Sequence, residues 1–264
     1  MPRANPIKQA DLSYMLDEWR PGLYYHLIGK AIPGRTLFID EEDHVFFLKH
    51  VVRFKWHSVF QILAYCLCGN HFHLVVRTLD AEAIAAQLAL RPASSLNPSD
   101  NAFLKGKITY ASYLSTVFGG PLSGFARHLN NVHQREGQVF INPSLHGLTD
   151  KGELPGVEFS KTLFCYVALN YVKHHIASID DAYRWSSLHS NQFKSIDRLA
   201  VFDHFGGEEA MWRALRDYLI KYGTRFYAFD EERFYQSLQP RRFKEATGCW
   251  IDEEWRGGGL LTEW

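Results

Sequence analysis

Residues 58–77 read SVFQILAYCLCGNHFHLVVR, two long apolar, β-rich runs separated only by Gly69-Asn70. Two such runs joined by a two-residue turn of this composition form an antiparallel hairpin. A strand turns successive side chains to opposite faces. His71 and His73 therefore share one face, and Phe72, Leu74 and Val76 share the other. The second set demands a core layer. The first presents two imidazoles side by side on a rigid strand, which is half of a divalent-metal site. The chain holds 13 histidines, so a chance His-x-His pair is unexceptional and needs support from elsewhere.

With 264 residues, 46% of them hydrophobic, the chain can bury one large domain or a domain with an extension. Lys+Arg and Asp+Glu are both 29. That balance argues against coating nucleic acid by bulk charge. A local basic groove remains open, because steering depends on how charge is distributed. Cys66, Cys68, Cys165 and Cys249 do not form a disulfide framework. The N-terminus is polar, with Pro2 and Pro6, and does not read as a secretory signal. No run of about eighteen apolar residues offers a membrane span. The expectation is a soluble, reduced, cytoplasmic protein.

Residues 1–20 read as an amphipathic lead-in, and 23–32 (LYYHLIGKAI) as a first strand stopped by Pro33-Gly34. Asp40-Glu41-Glu42-Asp43 suits the positive end of a helix dipole. That helix is expected to reach about residue 55, with Val45, Phe46, Leu48, Val51 and Val52 on its apolar side. After the hairpin, 80–90 is Ala-rich and helical, and 91–100 is a loop by composition. A helix over 102–118 is expected to break at Gly119-Gly120-Pro121, and a second to cover 122–134. Residues 141–158, with Pro143, Gly147, Gly152, Pro155 and Gly156, read as a flexible connection. The order β-α-β-β-α predicts an α+β, ferredoxin-like antiparallel sheet with helices on one face. Beyond about residue 191 the chain reads as a helical C-terminal extension.

Residues 160–175 (SKTLFCYVALNYVKHH) form a helix with Phe164, Val167, Ala168 and Tyr171 as its apolar stripe. Thr162, Tyr166, Asn170 and Lys173 fall on the other side. Tyr166 and Asn170, four apart, are expected as neighbours on that surface. A half-buried tyrosine with a wet hydroxyl, a polar surface asparagine and a solvated lysine near a helix end account for these residues equally well.

The segments ILAYCLCGNHFHLVVRT, FCYVALNYVKHHIAS and YRWSS, in this order, resemble the single-tyrosine HUH transposases, and among them the REP-associated tyrosine transposases. That family carries a His-hydrophobic-His pair on a strand, matched by His71-Phe72-His73. Its nucleophilic tyrosine precedes an asparagine by four on a later helix, followed by Val and a basic residue. Tyr166, Asn170, Val172 and Lys173 match this, and Trp185-Ser186-Ser187 matches a Trp-Ser-Ser that follows. The strand residues Tyr24-Tyr25-His26-Leu27 also fit. The resemblance spans about residues 20–190, which it would make the catalytic domain (1–190). The chain departs from the pattern at Gly69 and Tyr171, where the family has proline.

The resemblance implies that His71, His73 and Asn170 hold one Mg2+ or Mn2+, and that Tyr166 attacks a DNA phosphate to form a 5′-phosphotyrosine link. Lys173, His174 and His175 become candidates for phosphate contact or proton traffic. The implied partner is single-stranded DNA beside a hairpin or palindromic repeat, not a membrane. Some relatives build each site from two chains and others act alone, which leaves a homodimer open. Arg77, Arg127, His128 and Arg135 could line a groove for such a strand, and Arg241-Arg242-Phe243-Lys244 interleaves charge with an aromatic ring.

Three other readings compete. Cys66, Cys68, His71 and His73 have the ligand types of a zinc site, although a strand pair bends poorly into a tetrahedron. A catalytically weak or inactive relative could use the same sheet only to bind nucleic acid. A small-molecule metal hydrolase would want extra carboxylates near the His pair.

Overall fold

The computed structural model describes residues 19–53, 56–141, 144–148, 156–174, 176–177, 183–189 and 196–222. Its centre is a four-stranded antiparallel sheet of β1 (Tyr24–Lys30), β2 (Phe60–Cys68), β3 (His71–Thr78) and β4 (Ser144–Leu148), in the order β2-β3-β1-β4. This is the strand order of a ferredoxin-like fold, and the α+β class stands. The hairpin register sets Cys66 opposite His73 and Cys68 opposite His71, beyond a register shift between Ile62 and Ala64. β4 lies within the segment expected to be an irregular connection, and it forms the edge beside β1.

One face of the sheet carries Phe72, with Tyr25 and Leu27 wholly buried. Against it lie α1 (Glu41–Phe46), its π-helical continuation Phe47–Arg53, and α4 (Tyr110–Val132). Phe72 meets Phe47 at 4.8 Å between ring centroids, and Phe47 meets Phe125 of α4 at 5.1 Å. The acidic start acts as expected: Asp40 and Asp43 close a capping box. The helix to about residue 55 is instead short, then π-helical, so that Phe47, Leu48, Val51 and Val52 all stay buried.

Two helical expectations need correction on this side. The helix predicted to break at Gly119-Gly120-Pro121 runs unbroken for 23 residues through Pro121. Proline removes one backbone donor, but Leu114, Phe118, Leu122, Phe125 and Leu129 form one buried stripe that a break would split. The loop over 91–100 ends early, because Asn97 caps α3 (Pro98–Leu104) with Pro98 in its first turn. Between β3 and α3, α2 (Ala81–Ala89) is capped by Asp80.

The other face is covered too, by α5 (Gly156–Ala168) and α6 (Asn170–Lys173), with α7 (Arg198–Phe205) and α8 (Glu208–Tyr222) packed on α5. The single helical layer expected from the sequence is therefore two layers with the sheet between them. The described part of the C-terminal segment joins the same core through Val201, Phe205, Met211 and Leu215. No helix among the described residues is long and apolar enough to cross a membrane.

Candidate active site

β1 and β3 run side by side, with Ile28 paired to His73 and His26 to Val75. Directly paired residues share a face, so the even positions of β1 and the odd positions of β3 lie together under α5. His26 accordingly reaches His73, with Nε2 2.9 Å from His73 Nδ1 and the rings stacked at 5.0 Å. His71 donates from Nδ1 to the side-chain oxygen of Asn70 at 2.7 Å. That bond leaves Nε2 of His71 as its basic nitrogen, the state in which imidazole is a ligand. The rings of His71 and His73 stand 5.0 Å apart, nearly perpendicular.

α5 and α6 bring the second half of the site. Phe164, Val167, Ala168 and Tyr171 are buried, as the apolar stripe predicts. Tyr166 stays half-buried, with its ring 5.9 Å from that of His73 and 6.3 Å from that of His26, edge to face in both cases. Lys173 donates from Nζ to the Tyr166 hydroxyl at 2.9 Å. His174 places its ring 4.5 Å from that of His71. One ligand nitrogen from each of His71, His73 and His174 lies within 4.8 Å of the other two.

Asn170 is not the surface neighbour of Tyr166 that helical spacing predicts. The helix is interrupted at Leu169, and Asn170 starts α6 fully buried. Its Oδ1 accepts from the Cys68 thiol at 3.6 Å, while its Nδ2 has no hydrogen-bond partner. The carboxamide thus sits behind Cys68, whose cross-strand partner is His71. The Cys66 and Cys68 sulfurs are 3.8 Å apart and buried. The two thiols lie beside His73 and His71 on the same face of the sheet, with Cys68 hydrogen-bonded to His71, and among the described residues neither joins the three-histidine cluster.

Burial is the main cause that pushes the His73 pKa far below that of a free imidazole, with further depression from His26, His71, His174 and Lys173. His73 is therefore neutral and can offer a lone pair. Burial also raises the Cys66 thiol well above its usual range, which keeps it protonated.

The other expected contacts are scattered. Arg77 lies on the His-bearing face of β3, with its guanidinium 5.7 Å from the Tyr24 ring centroid and its Nε donating to the Gly22 carbonyl. Arg135 donates to the Thr36 carbonyl at 3.3 Å. The adjacent Leu37 and Phe38 amides bond to Gly69, so Arg135 stands near the turn that leads into His71. Arg127 is exposed on α4, across the sheet from the imidazoles, and is not brought to them. His128 stacks on Phe46 in that same far layer. His175 and residues 241–244 lie outside the described residues. The sequence reading gave His26 no role. The signal it missed is parity: His26 shares a face with His73 only once β1 is known to pair with β3.

No protein-family model matches the chain, and no curated protein matches it. Among solved structures it is similar to a REP-associated tyrosine transposase bound to a REP hairpin, with TM-score 0.39 and 12% identity over 65% of this chain and 82% of the other. A likeness of that size carries no weight for function.

Proposed function

We propose that the protein is a metal-dependent single-stranded DNA endonuclease and strand transferase, acting beside a hairpin or palindromic repeat. The observation that carries this reading is the Tyr166 hydroxyl, gripped by Lys173 at 2.9 Å, on a ring 5.9 Å from that of His73. A nucleophile beside an imidazole pair suited to a divalent ion is the minimum equipment for phosphodiester cleavage. The donor set fits such an ion: His71 is held as an Nε2 base by Asn70, and buried His73 is neutral. Mg2+ or Mn2+ at this position would neutralise charge on the scissile phosphate.

Within this reading the Tyr166 oxygen attacks phosphorus and loses its proton. The P–O3′ bond breaks, and the leaving 3′ oxygen takes up a proton. The products are a 5′-phosphotyrosine and a free 3′-hydroxyl, so a second 3′ end can reverse the step without ATP. Lys173 donates to the oxygen on which negative charge develops as the proton leaves. Arg77, on the His-bearing face of β3, and Arg135, near the turn into His71, are the cations this reading assigns to the phosphates of the strand. In-line attack on phosphorus needs a backbone free to turn toward the tyrosine, which favours a flexible single strand over a stiff duplex.

The test uses hairpin-flanked single strands carrying a 3′ label, incubated with the full chain and Mn2+ and resolved under denaturing conditions. The expected result is a labelled covalent adduct that Tyr166→Phe abolishes. An adduct that survives Tyr166→Phe overturns the nucleophile. Tight binding of the hairpin with no adduct overturns the enzyme reading in favour of a nucleic-acid-binding module.

A further inference from the structure

We propose that His174 is the third protein ligand of the ion held by His71 and His73, and that this three-imidazole set prefers a late first-row cation such as Zn2+ or Co2+ over Mg2+. The inference rests on the reading that the His71–His73 pair binds a metal. It replaces the carboxamide expected there, since the Oδ1 of Asn170 accepts from Cys68 in the buried layer.

Three observations converge. First, nitrogens of His71, His73 and His174 lie within 4.8 Å of one another. Ligands about 2.1 Å from a tetrahedral Zn2+ sit about 3.4 Å apart, so a modest inward movement gathers the three. His174 can supply that movement, because it is exposed and sits just past the last turn of α6, whereas His71 and His73 are buried on a central strand. Second, the two strand histidines are already oriented from behind. Asn70 holds Nδ1 of His71, and His26 holds Nδ1 of His73. Hydrogen bonds from the far ring nitrogen are how proteins fix the tautomer and raise the basicity of a ligating histidine. Third, the cluster contains no carboxylate. Mg2+ favours oxygen donors and keeps its waters, whereas imidazole suits Zn2+, Co2+ and Ni2+. Three imidazole nitrogens leave coordination positions open for phosphate oxygens, as a catalytic site needs.

The test is equilibrium dialysis of the chelator-stripped full chain against Zn2+, Co2+ and Mg2+, with visible absorption as a second readout for Co2+. Wild type is expected to bind Zn2+ and Co2+ far more tightly than Mg2+. Losing a partner that only orients a ligand costs 10–100-fold in affinity. Removing a ligand with His174→Ala should therefore weaken Zn2+ by at least about 100-fold and change the Co2+ spectrum. Urea unfolding of the stripped variant beside the stripped wild type separates loss of a ligand from loss of the fold. His71→Ala identifies the site. If His71→Ala loses the ion and His174→Ala does not, the His174 assignment is overturned while the metal centre survives. Equal affinity for Mg2+ and Zn2+ overturns the preference. If neither variant changes binding, both the inference and the metal reading of the His pair fall.

Discussion

Lys173 holds Nζ 2.9 Å from the hydroxyl of Tyr166 and 4.6 Å from the centroid of the same ring. Seven residues are about two helical turns, so the two side chains return to one side although the helix is interrupted between them. The ammonium therefore touches the hydroxyl proposed above as the nucleophile. A hydrogen bond from a charged donor contributes about 1.5–3 kcal/mol. Lys173 is exposed, and solvent screening puts it at the lower end. Lys173→Met should slow adduct formation by about tenfold, with a much smaller change in DNA affinity. Binding lost in proportion to rate would instead make Lys173 a phosphate contact only.

Acid should destabilise the metal-free protein through its buried histidines. Burial lowers the pKa of both His73 and His44 in the folded state. Below about pH 6.5 the unfolded chain protonates these rings and the folded chain resists, so the unfolded state binds more protons. The contribution is complete above pH 6.5 and shrinks as pH falls below it, by up to about 1.4 kcal/mol per pH unit for each ring. Urea unfolding in chelator at pH 7.5, 6.5 and 5.5 measures this slope, and His73→Asn should flatten it. An unchanged slope in that variant would show that His73 is charged in the fold.

The hairpin and the split of its faces were legible because a strand alternates strictly and Gly69-Asn70 leaves only one turn. The apolar stripe of α5 was legible for the corresponding helical reason. What the periodicity missed was set by neighbours far along the chain. Pro121 reads as a breaker until Phe118, Leu122 and Phe125 are seen to share one buried stripe. Asn170 reads as a surface residue until the interruption at Leu169 turns it beneath Cys68. β4 carries Gly147, with Pro143 just before it, and is a strand only because β1 offers it an edge. His26 and His174 could not be placed around His73 and His71 without strand order and the end of α6.

Gly29 shows how closely that sheet is fitted. It pairs with Phe72 across β1 and β3. A Cβ added there would stand 2.2 Å from Cε1 and 2.3 Å from Cζ of the Phe72 ring. The ring cannot retreat, because Phe47 packs on it at 4.8 Å and Phe140 lies edge-on at 6.3 Å. Overpacking of this kind costs about 1–3 kcal/mol. Gly29→Ala should lower the urea midpoint accordingly, and Phe72→Leu in the same chain should recover part of the loss. A double variant no better than the sum of its parts would place the strain elsewhere.

The last prediction concerns Asp43, the buried carboxylate of the opposite layer. Its Oδ2 accepts from the Ile39 amide at 2.9 Å and the Asp40 amide at 3.4 Å, closing the N-terminus of α1. Both its oxygens lie 3.0 Å from Nε2 of His133, just beyond the end of α4. His128 of α4 approaches at 3.5 Å. One carboxylate thus caps one helix and ties down the far end of another. Removing a cap costs about 1 kcal/mol. Leaving buried donors without their acceptor costs about 1–3 kcal/mol further, and more where the acceptor is a carboxylate. Asp43→Ala should therefore lose about 3 kcal/mol or more, well above an ordinary cap. Asp43→Asn retains one acceptor and should lose less. The deciding measurement is a double-mutant cycle with His133→Ala, read by urea unfolding. A coupling of about 1 kcal/mol or more marks direct contact. Additive losses would mean that Asp43 acts on α1 alone and that α4 is held by its apolar stripe.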